Sequence, residues 1–236
     1  MIAVESGESS ASPSASGKVP RGAAAETLQA VVLCGGSSTR MGADKARLRL
    51  GSETLLARAV AVLRAVTPSV FLASGARDRY GELGLARVLD RAPGIGPLAG
   101  LEAALAKLAA EGGDLLCVLA CDMPFARPAL FEALLRRLEE TGADACLLSD
   151  GAELEPLCGV YRASVLPAVR RALDRGERAL RSFHGEIELA LLEEAVLSRR
   201  PDGTVAPCST NLNTPADLAA ARRAEGRTGA DVDGPR

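Results

Sequence analysis

The chain has 236 residues, 47% of them hydrophobic and 25% charged, with a formal net charge of −2 at pH 7. That length supports one substantial core, and the near-neutral charge excludes a general nucleic-acid binder, which needs a broad basic surface to displace counterions. Aromatic residues make up only 3%, so the core must be built mainly from Leu, Val and Ala.

Residues 3–25 are rich in Ser, Ala, Gly and Pro, without the apolar centre of a signal peptide. Residues 1–27 are therefore expected to form a disordered extension, 28–224 the folded domain, and the Gly- and charge-rich 225–236 a flexible tail. No apolar run approaches the length of a membrane span. A cytoplasmic protein that meets neither membrane nor nucleic acid, working as a monomer, is expected.

In chain order, residues 28–34 read as a buried strand and 54–66 as a helix placing Leu55, Leu56, Ala59, Val62 and Leu63 on one face. Short strands are expected at 69–73 and 86–89, and a helix at 98–110 entered from Gly94-Ile95-Gly96-Pro97. Residues 114–121 form the most apolar strand, 128–140 a helix, and 143–149 another strand. An extended segment at 155–161 and a helix at 164–175 follow. Strands separated by helices at this spacing indicate a Rossmann-like α/β three-layer sandwich with a mostly parallel central sheet. Ligands of such sheets collect beyond the carboxyl ends of the strands.

Three notable segments fall at those ends. Leu33-Cys34-Gly35-Gly36-Ser37-Ser38-Thr39-Arg40-Met41-Gly42-Ala43-Asp44-Lys45 follows the first strand. Paired glycines let backbone N–H groups approach an anion, and Arg40 and Lys45 offset its charge, so the segment suits a polyphosphate. It is neither a Walker A loop, lacking Gly-Lys-Ser/Thr, nor a G-x-G-x-x-G fingerprint. Asp90 follows the third strand. Asp122, between the central strand and Met123-Pro124, is placed to bind Mg²⁺, which needs only one or two protein oxygens beside phosphates.

Near the end, Asn211-Leu212-Asn213-Thr214-Pro215 reads as an extended segment that puts both asparagines on one side, followed by a helix capped by Thr214 with Pro215 in its first turn. The six cysteines show no C-x-x-C spacing; Cys117 and Cys121 would lie roughly 13 Å apart on a strand. A reduced set of buried thiols is expected rather than a zinc site or disulfides. His184, the only histidine, reads as incidental.

Together with Gly96-Pro97-Leu98-Ala99-Gly100, Cys121-Asp122-Met123-Pro124-Phe125 and residues 155–162, these segments resemble, in order over about 28–223, the molybdenum cofactor guanylyltransferases. The resemblance implies transfer of GMP from GTP to the phosphate of molybdenum-molybdopterin, with release of pyrophosphate. Leu33, Cys34, Gly35, Lys45 and Asp90 would bind GTP, and Asp122 both nucleotide and Mg²⁺. Gly36 and Arg40 would join the phosphate cradle. Asn211 and Asn213 would line the cofactor side or complete the metal site, giving Lys45, Asp122, Arg40 and Asn213 as the catalytic set. Molybdoenzymes or delivery chaperones would be further partners.

Two departures stand out. Ala73-Ser74-Gly75 replaces a family asparagine offered to the nucleotide, and Cys34 replaces the commoner alanine. The rival readings are a molybdopterin cytidylyltransferase or other small-molecule nucleotidyltransferase, a noncatalytic nucleotide-binding or cofactor-delivery module, and, more distantly, an NAD-binding dehydrogenase. Gly35-Gly36 in place of Ala-Gly, and Met123 in place of Gln, favour GTP over CTP.

Overall fold

The computed structural model describes residues 27–35, 44–91, 94–196 and 208–230. The expectations for residues 1–26, including most of the N-terminal extension, lie outside the described residues. Among the described residues, no helix is long and apolar enough to cross a membrane.

The sheet starts with β1 (Leu28–Leu33), whose central residues are fully buried. A small hairpin, β2 (Arg49–Leu50) and β3 (Glu53–Thr54), leads into α1 (Leu55–Arg64). Thr54 begins that helix because its hydroxyl accepts from the Ala57 N–H, satisfying one of the orphan donors of the first turn. Then come β4 (Val70–Ala73), β5 (Arg87–Val88) and α2 (Pro97–Ala110). Proline is favourable at that helix start because its missing N–H would have had no intrahelical partner.

Next is β6 (Leu115–Ala120), buried along its whole length. It is followed by α3 (Pro128–Thr141), which Gly142 ends in the left-handed conformation that closes many helices. The remaining elements are β7 (Ala145–Ser149), β8 (Leu154–Arg162), α4 (Leu166–Asp174), β9 (Leu189–Glu193) and α5 (Pro215–Ala230).

Seven strands form one sheet in the order β5-β4-β1-β6-β8-β7-β9. Pairings of β4 with β5, β1 with β4 and β6, and β7 with β9 are parallel, while β8 runs antiparallel to both its neighbours. The reversal follows from a tight turn between β7 and β8. Asp150 Oδ1 accepts from the N–H groups of Ala152 and Glu153, folding the chain straight back. The expected mostly parallel sheet is thus present, and β8 is its exception.

Alternation along the strands divides the core. Ala30, Val32, Cys117 and Leu119 pack under α1 and α3, whereas Val31, Leu116 and Val118 pack under α2 and α4. Two helices on each face make the three layers. At roughly 25 cal/mol per Å² of apolar surface removed from water, this double-sided burial is the main term holding the sheet together.

Some boundaries differ from expectation. The helix expected at 164–175 begins with a separate 3-10 turn, Ala163–Val165. The hairpin β2–β3 and the strand β9 have no counterpart among the expected elements. Helix α5 continues past residue 224, where the domain was expected to end, to Ala230. It docks through a small core of Leu50, Leu55, Leu212, Leu218 and Ala221, and Glu225 pairs with Arg58.

Candidate active site

Strand order places the site. From β1 the chain steps outward through β4 to β5 and then crosses back to β6 on the other side of β1. At such a reversal the segments leaving the strand ends part and leave a crevice. Here they surround a cavity of about 920 Å³.

Leu33, Cys34, Gly35, Lys45, Asp90 and Asp122 all line this cavity. The structure therefore brings together every described residue expected to bind nucleotide. Gly36 and Arg40 lie outside the described residues.

Gly35 is where the segments after β1 and β4 touch. A β-carbon there would sit 2.7 Å from both the Cα and the N of Gly75, closer than real β-carbons approach backbone. The glycine expected to expose backbone N–H groups to an anion is thus needed for packing in any case.

Lys45 opens a 3-10 turn, Lys45–Arg47, capped by the Asp44 carboxylate, which accepts from the Ala46 N–H at 3.1 Å. The Lys45 ammonium donates to Asp122 Oδ2 at 3.1 Å and to Asn213 Oδ1 at 2.8 Å. The Lys45 and Asp122 side chains are each 19% exposed, so this ion pair is partly shielded from solvent yet open to the cavity.

Asn213 arrives from the other end of the chain. Leu212, fully buried, is the anchor, and its N–H donates to the Asp122 carbonyl at 2.9 Å. Asp217 accepts from the N–H groups of Asn213 and Thr214, while the Thr214 hydroxyl accepts from the Asp217 N–H. This reciprocal cap holds the turn before α5, and those backbone bonds keep the Asp217 carboxyl below its ordinary range. The expected Thr214 cap is formed. Asn211 instead donates to Glu155 Oε2 at 3.1 Å. Burial raises the Glu155 carboxyl above its ordinary range, with the nearby Asp122 charge adding to the effect and the Asn211 bond opposing it.

Asp90 stands apart from this group. Its N–H donates to the Gly75 carbonyl at 3.0 Å, which fixes the backbone, but Oδ1 is buried with no hydrogen-bond partner among the described residues. Burial pushes its carboxyl up. A buried acceptor without a donor costs free energy that a ligand N–H or O–H would recover. Gly100 lies beside that oxygen, and a β-carbon there would meet it at 3.6 Å, an ordinary van der Waals contact.

At the position of the family asparagine, Ala73 and Gly75 line the cavity without a polar side chain. Ser74 is fully buried and its hydroxyl donates to the Arg77 carbonyl. Residues 73–75 therefore offer that wall polar groups from the backbone only.

The thiols are packing groups. All six cysteines are buried and unbridged, as the spacing suggested. Burial pushes the Cys34 thiol up to about 12 and the Cys121 thiol well above its ordinary value, so neither is an anion near neutrality. His184 lies in the 3-10 segment Leu180–Glu186, edge-on to Phe183.

The motif reading did not reach Tyr80 or Arg79, which bond to Asp44 behind Lys45. A usable signal existed: in a chain so poor in aromatics, a buried tyrosine must place its hydroxyl on a partner.

An open α/β sheet with a lysine, a strand-end carboxylate and glycine-made backbone contacts around one crevice suits nucleotidyl transfer, and the class is shown by residues 30–189, which match the family model of the MobA-like NTP transferase domain. A probable molybdenum cofactor guanylyltransferase from Opitutus terrae is 42% identical over 160 residues, covering 67% of this chain and 78% of that protein. One from Pelotomaculum thermopropionicum is 35% identical over 192 residues, covering 81% and 90%. The chain belongs to the molybdenum cofactor guanylyltransferase family. Among solved structures, molybdopterin-guanine dinucleotide biosynthesis protein A from Archaeoglobus fulgidus superposes with a TM-score of 0.70 at 25% identity, covering 84% of this chain and 99% of that one.

Proposed function

We propose that the protein transfers GMP from GTP to the phosphate of molybdenum-molybdopterin and releases pyrophosphate. The observation that carries this reading is the convergence of Asp122 Oδ2 and Asn213 Oδ1 on the Lys45 ammonium at the rim of a nucleotide-sized cavity. Within that cavity Asp90 Oδ1, without a hydrogen-bond partner among the described residues, offers an acceptor to a nucleoside.

A phosphate oxygen of the pterin attacks the α-phosphorus of GTP, forming the new P–O bond as the bond to the pyrophosphate oxygen breaks. The attacking oxygen is already anionic, so no protein nucleophile or base is required; the neutral thiols at Cys34 and Cys121 fit that. The protein contributes alignment and charge compensation. Lys45 transfers its hydrogen bonds from Asp122 and Asn213 to phosphate oxygens, and Arg40 adds a second cation from the glycine-rich segment.

Asp122 and Asn213 already direct two oxygens at one cation, a donor set that suits Mg²⁺ completed by phosphate. They would hold the metal, which neutralises developing phosphate charge when bound.

The test is Asp122→Ala, assayed for pyrophosphate release with Mg²⁺, molybdenum-molybdopterin and either GTP or CTP. Turnover should fall by at least about 10³-fold while circular dichroism and Tm stay near wild type. Retained Mg²⁺-dependent GTP turnover in this variant would overturn the assignment, and faster turnover with CTP in the wild type would overturn the base.

A further inference from the structure

We infer that Tyr80, working with Arg79, is a positioning residue for the transfer reaction: it joins the two ends of the glycine-rich segment, Cys34 and Asp44, and thereby sets where Lys45 stands. The inference rests on the functional reading above for its link to turnover, and on geometry for the brace itself.

The Tyr80 hydroxyl lies 2.9 Å from both oxygens of the Asp44 carboxylate and donates to it. The same carboxylate accepts from Ala46 N–H and so caps the 3-10 turn that Lys45 begins. Asp44 is thereby held from two sides, and Lys45 is its immediate neighbour. Arg79 completes the device. Its guanidinium reaches Asp44 Oδ2 at 3.5 Å, the Ser74 carbonyl at 3.1 Å and the Cys34 carbonyl at 3.4 Å. One guanidinium thus spans the ends of β1 and β4 and the start of the Lys45 turn.

Two further observations set this apart from ordinary loop packing. Tyr80 has φ +66°, the only non-glycine residue in that region among those described. A bulky residue adopts such a backbone only where its surroundings over-determine it. Its side chain is also buried to 2% exposure, with the Arg79 and Arg47 guanidinium carbons 5.1 and 5.6 Å from the ring centroid. Burial and the Asp44 bond both hold the phenol far above its ordinary value, so the hydroxyl remains a donor at any working pH. The site thus accepts an unfavourable backbone and a buried phenol in order to fix one carboxylate beside its lysine.

Tyr80→Phe deletes the hydroxyl and keeps the ring, and it should be studied in the full chain alone and combined with Lys45→Ala. Two readouts are needed. The first is steady-state turnover of Mg-GTP with the pterin. Tyr80→Phe should lower kcat about tenfold or more and raise the KM for GTP by less, since a displaced lysine misaligns the reacting phosphate. The second is calorimetric binding of inorganic tripolyphosphate, which reads Lys45 placement without chemistry. There Tyr80→Phe should weaken binding several-fold, and in the Lys45→Ala background it should cost nothing more.

That non-additivity separates positioning from a general structural effect, which would cost the same factor in either background. Equal costs in both backgrounds, an unchanged kcat, or a wild type that does not bind tripolyphosphate would each overturn the inference. A wild type that binds tripolyphosphate with the predicted coupling but does not turn over GTP would instead overturn the functional reading and leave the brace standing.

Discussion

At the scale of single residues, Asp90 links stability to binding. Burial of an oxygen that has no partner among the described residues means that the native carboxyl holds its proton to higher pH than the unfolded chain does. The native state therefore loses stability as pH rises through that elevated titration point. Asp90→Asn removes the loss. Its Tm should exceed that of the wild type at pH 7, and the difference should close as pH falls to about 3, where both states of the wild type are protonated. The same variant should raise the KM for GTP by about tenfold or more, because a hydrogen bond to a charged acceptor is lost. Thermal scans at the two pH values and GTP kinetics check both halves. A gain in Tm without a loss of affinity would remove Asp90 from the nucleotide site.

At the scale of elements, what counts is how segments meet beyond the strand ends. Gly35→Ala places a methyl group 2.7 Å from the Gly75 backbone, which no side-chain movement can relieve. The segments after β1 and β4 must separate, at about 1–3 kcal/mol, or roughly 3–10 °C in Tm for a chain of this size. Affinity for tripolyphosphate should fall as well. A wild-type Tm in the Gly35→Ala variant would show that the contact yields at no cost.

Which elements were legible in the sequence follows from what each depends on. The apolar runs of β1 and β6, and the apolar faces of α1 and α3, are set by local pattern and are readable to within a few residues. Strand direction has no local signature. The reversal of β8 hangs on the Asp150 turn, and nothing within residues 155–161 announces it. The two-residue strands β2 and β3 are too short for any period to show. The motifs placed Lys45, Asp122 and Asn213 at one site, since Lys45 and Asp122 follow recognisable strand ends and Asn213 precedes a recognisable helix start. The Tyr80 bond to Asp44 joins residues 36 apart in sequence, and such a pairing exists only once β1 and β4 lie side by side.

At the scale of the molecule, the site is closed by a unit only loosely part of the main core. Helix α5, Leu212 before it, Leu50 of the hairpin and Leu55 at the start of α1 share a cluster of five buried apolar side chains, separate from the two large clusters that flank the sheet. Local opening follows local contact density. Leu212→Ala should therefore cost about 2–5 kcal/mol on paper but register mostly as detachment of the C-terminal segment, not as unfolding of the sheet. Hydrogen exchange should show α5 amides losing protection while β1 and β6 keep theirs, and GTP turnover should fall with α5 protection. Uniform loss of protection across the chain would show that α5 and the sheet unfold as one.

The route by which Asn213 reaches Lys45 also orders events in time. A ribosome delivers β1, Lys45 and Asp122 long before residue 213, and domains begin to fold as they emerge. A growing chain can thus assemble its sheet, and most of its cavity lining, while Asn213 is still unsynthesised. On the proposed reaction, competence is acquired late, with the docking of α5, and a polypeptide stalled before residue 211 would carry most of the cavity lining without Asn213.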